Sequence, residues 1–245
     1  MMVRAVGLLL LLAAPAAAQR DRSNFELPPN AHYDGRFTFV RIKYDVPWAT
    51  GIGQDVPWSH DYARAERHFT RILSELSSLK VRMDASNVMA LDDPDLFKYP
   101  IAYLCEPGFW HPSDAEAAGL RSYLMKGGFL IVDDFAGNQL FNFEEQLRRV
   151  LPDARLVQLT AEHPIFDSFY HIPTLDFHHP YWGQPSVFYG VFDQNDPARR
   201  LLMIVNFNND VAEYWEFSDT GMFPIDLSND AYKLGVNYIM YALTR

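Results

Sequence analysis

Cysteine is nearly absent: Cys105 is the only one in 245 residues, so no intramolecular disulfide can form and stability must come from a core. Positive charge is also scarce, with 21 Lys and Arg against 31 Asp and Glu and a formal charge of −10. Nucleic acid and anionic lipid both demand a basic face, so neither is expected as a partner. No apolar run reaches the roughly 20 residues of a membrane-spanning helix, so no stable membrane insertion is expected. The eight histidines include no HExxH motif and no helical HxxxH pair, which removes a zinc-protease reading. No internal repeat is visible.

What is present begins with a leader. Arg4 precedes an apolar stretch from Val6 to Ala14, and Ala16-Ala17-Ala18 supplies the small residues that signal peptidase cleaves. Residues 1–18 therefore read as a signal peptide cleaved near Ala18, and the expected location is the periplasm or the exterior. Residues 19–36 are polar, carry Pro28-Pro29 and read as a flexible lead-in. Residues 37–245 read as a single α/β domain. A composition of 49% apolar and 15% aromatic residues can fill its core.

Within that domain, Phe37–Tyr44 alternates apolar and polar residues as a strand does. Pro47, Gly51, Gly53 and Pro57 break the chain into a loop. Ser59 then offers a cap for a helix whose Tyr62, Ala65, Phe69, Ile72, Leu73 and Leu76 share one face. Strands are predicted over Val88–Leu91, Tyr99–Leu104, Phe129–Val132 and Arg155–Leu159. Helices are predicted from the Ser113–Glu116 capping box to Gly127-Gly128 and over Phe143–Leu151. Further strands follow at Ser186–Phe192 and Leu201–Phe207, joined by a turn over Gln194–Pro197. A last helix is predicted from near Ser228. Alternating strands and helices imply a mostly parallel sheet with helices on both faces, in three layers.

Ligands of open α/β sheets bind beyond the carboxyl ends of the strands. That rule selects Asp45 after the first strand, the loop bearing Trp58, His60 and Asp61, Glu106 and Trp110 after the Tyr99 strand, and Asp133 and Asp134 after the Phe129 strand. Several acids on one rim suit either a cation or general acid–base work, although acids also cap helices. Strand alternation directs at least one of Asp133 and Asp134 into the cleft. His178 and His179 form the densest histidine cluster, and in an extended segment they point to opposite sides. A divalent metal on Asp134, Glu106 and His179 stays open as an alternative. His163-Pro164-Ile165 reads as a turn with His163 as a backbone-bonding cap, and His68 as a packing residue. Trp48, Trp58, Trp110, Trp182 and Trp215 fall at loops or element ends, where rings stack on sugars or simply pack. Asn206–Asp210 and Glu213–Glu216 mix amides, acids and aromatics in a manner suited to polyhydroxyl ligands.

Several ordered stretches carry a family likeness as a set: Trp58-Ser-His-Asp-Tyr62, Glu106-Pro-Gly-Phe-Trp110, Lys126–Asp134, His163-Pro-Ile165, His178-His179-Pro180 and Asn237–Arg245. Together they resemble the DUF4159 family of bacterial domains over about residues 37–245. The resemblance implies a flavodoxin-like sheet similar to class I glutamine amidotransferases and ThuA-like proteins. Amidotransferases carry a nucleophilic cysteine on a glycine-flanked strand-to-helix elbow. Cys105 follows a strand, but Tyr103 stands where the preceding glycine would be, and Pro107 removes a backbone donor there. A buried, unreactive Cys105 is the expectation.

Three functions remain. The leading one is a binding module for a small polar ligand, a glycan or an envelope protein, suggested by acids and tryptophans without a nucleophile–base pair. The second is a hydrolase using Asp134, Glu106 and His179, with or without a divalent metal. The third is a structural component of an envelope complex.

Overall fold

The computed structural model describes residues 27–46 and 56–245. The leader, part of the lead-in and most of the loop after Val46, including Trp48, lie outside the described residues.

Seven strands form one sheet in the order β2-β1-β3-β4-β7-β6-β5. They are β1 Val40–Ile42, β2 Asn87–Met89, β3 Ile101–Cys105, β4 Phe129–Phe135, β5 Val157–Gln158, β6 Val187–Phe192 and β7 Leu201–Phe207. β1 to β4 and β7 run parallel, whereas β6 is antiparallel to both β7 and β5. β3, β4 and β7 are apolar on both faces because helices cover both.

The helices are α1 Arg64–Leu76, α2 Asp114–Met125, α3 Gln139–Val150, α4 Val211–Glu216 and α5 Ile225–Thr244. Alternation along the strands divides the core in two. Ile101, Tyr103, Cys105, Phe129 and Ile131 face α1, α4 and α5, packing with Phe69, Leu73, Trp215 and Leu234. Ala102, Leu104, Leu130 and Val132 face α2 and α3, packing with Leu120, Leu124, Phe143 and Leu147. The result is the three-layer, flavodoxin-like α/β architecture expected of the sequence.

The α2 capping box is present: the Glu116 backbone N–H donates to Ser113 Oγ at 3.2 Å, and the Ser113 N–H donates to Glu116 Oε2 at 2.8 Å. Other boundaries differ. Ser59 ends a single 3₁₀ turn, Pro57–Ser59, and its hydroxyl donates to the Val56 carbonyl, so α1 starts only at Arg64. α5 starts at Ile225, directly after Pro224, whose missing N–H costs nothing at a helix start. β5 is a two-residue antiparallel edge rather than a member of the parallel series. α4 was not expected. No helix among the described residues is long and apolar enough to cross a membrane.

Candidate functional site

The cleft lies where the open-sheet rule places it, beyond the carboxyl ends of β3, β4 and β7. Its volume is about 520 Å³, and His60, Asp61, Glu106, Asp134, His179, Asp210, Glu213 and Glu216 line it together with Phe109, Tyr181, Trp182 and Phe217. Six carboxylates and two imidazoles thus share a cleft whose lining, among the described residues, contains no Lys or Arg.

Backbone geometry brings three of those acids inward. Asp61, Glu106 and Asp134 have φ of 64°, 47° and 62°. This left-handed region is uncommon for residues other than glycine, and strain of this kind concentrates at functional sites. Glu106 sits at the turn from β3 into a 3₁₀ turn at Pro107–Phe109. The strained elbow sought at Cys105 therefore exists one residue later, with a carboxylate on it. The buried Tyr44 hydroxyl fixes the elbow by donating to the carbonyls of Cys105 at 3.0 Å and Glu106 at 2.7 Å. Gly108 lets α3 approach, because a Cβ there would lie 2.6 Å from Gln139 Cβ. The Cys105 thiol is fully buried, donates to Asp134 Oδ2 at 3.4 Å, and is pushed up by burial and by the Asp134 charge.

Asp133 and Asp134 part company at an irregularity in β4 between Val132 and Phe135. Asp133 keeps the strand alternation and points into the core. It accepts from the Tyr103 hydroxyl at 2.8 Å, Asn206 Nδ2 at 3.0 Å, and the N–H groups of Val211 and Ala212 at 2.9 and 3.1 Å. Burial pushes its carboxyl up to about 6, and these donors pull against the rise. Asp134 instead turns into the cleft.

Electrostatics in the cleft follow from burial without cations. Burial, then the Glu106 charge, raise Asp134 well above the usual carboxylate range. Burial and the Asp134 charge do the same to Asp61 and to Asp210. His60 Nδ1 forms a close ion pair with Glu106 Oε1. His179 Nε2 bonds Glu213 Oε2 at 3.0 Å, while its Nδ1 accepts from the Tyr181 N–H at 3.4 Å. Two groups offer metal-ligand geometry on the cleft wall, His60–Glu106–Asp134 and His179–Asp210–Glu213, with ligand atoms within 4.8 Å of one another. A third, Asp61–Cys105–Asp134, shares Asp134 with the first.

Of the rim residues and histidines selected from sequence, Asp134, Glu106, His179, His60 and Asp61 line the cleft. The other five do not. Asp45 faces solvent because its neighbours Tyr44 and Val46 point inward. Trp58 and Trp110 are buried core residues, and Trp110 packs on Phe143 of α3 at 6.4 Å between ring centroids. Asp133 is a structural hub. His178 is exposed, paired with Asp176 at 3.3 Å, because its neighbour His179 takes the inward direction.

Asp210, Glu213 and Glu216, from the stretches read as suited to polyhydroxyl ligands, and Trp182, from the tryptophan set, complete the cleft with Tyr181, which was not singled out. A signal for three of them was present in Asp210-x-x-Glu213, an N-terminal helix pattern: the Glu213 N–H donates to Asp210 Oδ1 at 2.9 Å, and the short helix α4 presents Glu213 and Glu216. His163 accepts from the Ile165 N–H at 3.3 Å, the turn-capping role expected of it.

A mostly parallel sheet with a cleft built from successive strand ends places this chain among the three-layer open-sheet α/β proteins. Within that class it belongs to the DUF4159 family, a domain of unknown function, whose family model matches residues 38–243. The resemblance read from its motifs is thereby borne out. A comparison with curated proteins found no match.

Proposed function

We propose that this chain is a hydrolase acting on a small polar or glycan substrate in the acidic cleft, in the periplasm or outside the cell. One observation carries this reading: three cleft carboxylates, Asp61, Glu106 and Asp134, are all held on strained backbone and all turned toward one space. Strain of about 1–3 kcal/mol per residue persists only where the surroundings impose it, and capping or solvation does not require it. Glu106 and Asp134 offer carboxylate oxygens within 4.8 Å of each other, and burial together with the Glu106 charge favours a proton on Asp134. The pair takes a proton from an attacking water and returns one to the leaving group, so the proton balance closes within the dyad. His179, fixed by Glu213, lines the same space, and Tyr181 and Trp182 offer ring faces for a sugar. The export leader supports the compartment.

The second reading is binding without turnover. It draws on His179, both of whose ring nitrogens are already engaged within the protein. A panel of chromogenic glycosides, esters and phosphate esters separates the two. Turnover of one class, reduced about 10²–10⁴-fold in Glu106→Gln with the melting temperature retained, supports the hydrolase. No turnover, together with calorimetric sugar binding that weakens in Trp182→Ala, supports binding alone. Neither signal would sink both readings and leave the envelope-complex role.

A further inference from the structure

We infer that the cleft holds one first-row divalent cation, Mn²⁺ or Zn²⁺, on His60, Glu106 and Asp134, with Asp61 as fourth ligand. The inference deepens the hydrolase reading, since it names what neutralises the carboxylates of the same cleft.

Three observations converge. The ligand atoms of His60, Glu106 and Asp134 lie within 4.8 Å of one another. Atoms bound to one such ion at 2.0–2.2 Å are separated by at most about 4.4 Å, so the group is near that spacing, and a cation entering it takes the place of the direct His60–Glu106 contact. Independently, Asp61 is only 3% exposed and lines the cleft, yet its Oδ2 has no hydrogen-bond partner among the described residues. Its carboxylate lies within 4.8 Å of that of Asp134, one of the three ligands. An unpaired carboxylate oxygen costs free energy unless a proton or a cation meets it. Arg41 acts on Asp61 through its charge alone: its Nε bonds Glu66 Oε1 at 2.5 Å, its Nη1 bonds the carbonyls of Trp58 and His60 at 3.0 and 2.8 Å, and its Nη2 makes no hydrogen bond to the orphaned oxygen. The Nη1 bonds hold the very segment that carries His60 and Asp61.

The neighbouring group His179–Asp210–Glu213 is a weaker candidate. Both groups hold a His–Glu contact, but here Asp210 already caps α4 and, among the described residues, no buried oxygen of the group is orphaned. Donor chemistry selects the metal: one imidazole nitrogen with three carboxylate oxygens suits Mn²⁺ or Zn²⁺ better than Mg²⁺ or Ca²⁺, which favour all-oxygen sets. A cation so placed lowers the pKa of a bound water and supplies the nucleophile that the hydrolase reading needs.

The test is calorimetric titration of chelator-stripped full chain with MnCl₂ and ZnCl₂, with MgCl₂ and CaCl₂ as comparators, followed by the substrate panel on stripped and reloaded protein. The expected result is one equivalent of Mn²⁺ or Zn²⁺, with affinity falling roughly tenfold or more in Asp61→Asn and in Glu106→Gln but unchanged in His178→Ala. No binding of either metal, or binding indifferent to Asp61 and Glu106, overturns the inference. Should those variants fail to fold, electron spin echo of Mn²⁺ on the unaltered chain decides: imidazole nitrogen modulation is expected, and its absence overturns the site. The two readings fail separately. Turnover by metal-free protein leaves the hydrolase standing and removes the cation, whereas tight metal binding with no turnover does the reverse.

Discussion

Two sets of buried acid lie on either side of the end of β4. On the core side Asp133 gathers four donors from β3, β7 and the start of α4, and the Tyr238 hydroxyl of α5 joins the network by donating to Asn206 Oδ1 at 2.8 Å. On the cleft side Asp61, Asp134 and Asp210 are equally buried, but each stands among other carboxylates. Burial is therefore common to both regions and distinguishes nothing. What differs is the supply of donors. A buried acid with four donors in place ties the fold together, whereas the cleft acids have few: Asp134 a thiol, Asp210 one backbone N–H.

The sharpest way to break this comparison is to remove each acid in turn. Asp133→Ala strands a hydroxyl, an amide and two backbone N–H groups, and is expected to cost about 3 kcal/mol or more in urea unfolding. Asp134→Asn relieves charge crowding and is expected to stay within about 1 kcal/mol of the unaltered chain or to exceed it. The reverse ranking would end the distinction between the two regions.

A smaller effect is expected at Tyr44, which holds the Glu106 elbow. Tyr44→Phe leaves two carbonyls short of a donor and should lower stability by about 1 kcal/mol with an unchanged denaturant slope. The same change at exposed Tyr33 is the control. A Tyr44→Phe variant as stable as the control would mean that the elbow is held by other contacts.

The smallest effect concerns pH, far from the cleft. His163 packs between Phe192 and Tyr241, and partial burial lowers its pKa from 6.5. Folding therefore favours the neutral ring, whose contribution is complete above pH 6.5 and is lost as pH falls through the lowered value. A His163→Gln chain should lose less melting temperature than its parent between about pH 7.5 and about pH 5. Parallel curves would refute the assignment.

Sequence patterns conveyed the architecture well, because apolar runs such as Phe129–Val132 and the Ser113 capping box report local forces directly. They conveyed the rim less evenly. The rule about strand ends pointed to Glu106 and Asp134 because it depends only on topology. It misplaced Trp110 and Asp133, since which way a residue turns at a strand end depends on irregularities that periodicity does not encode. Asp134 enters the cleft through one such irregularity in β4. Glu213 and Glu216 depended on a helix of six residues, too short for its apolar period to stand out.

The position of β7 also governs how the molecule comes into being. β7 pairs with β4 at the middle of the sheet, although α3, β5 and β6 separate the two in the chain. Until Leu201–Phe207 has emerged, β4 is an open edge and the cleft lacks the wall that follows β7. Such long-range closure is slow and leaves an unpaired strand accessible to other chains. A nascent chain of this design cannot complete its sheet until its last third is made.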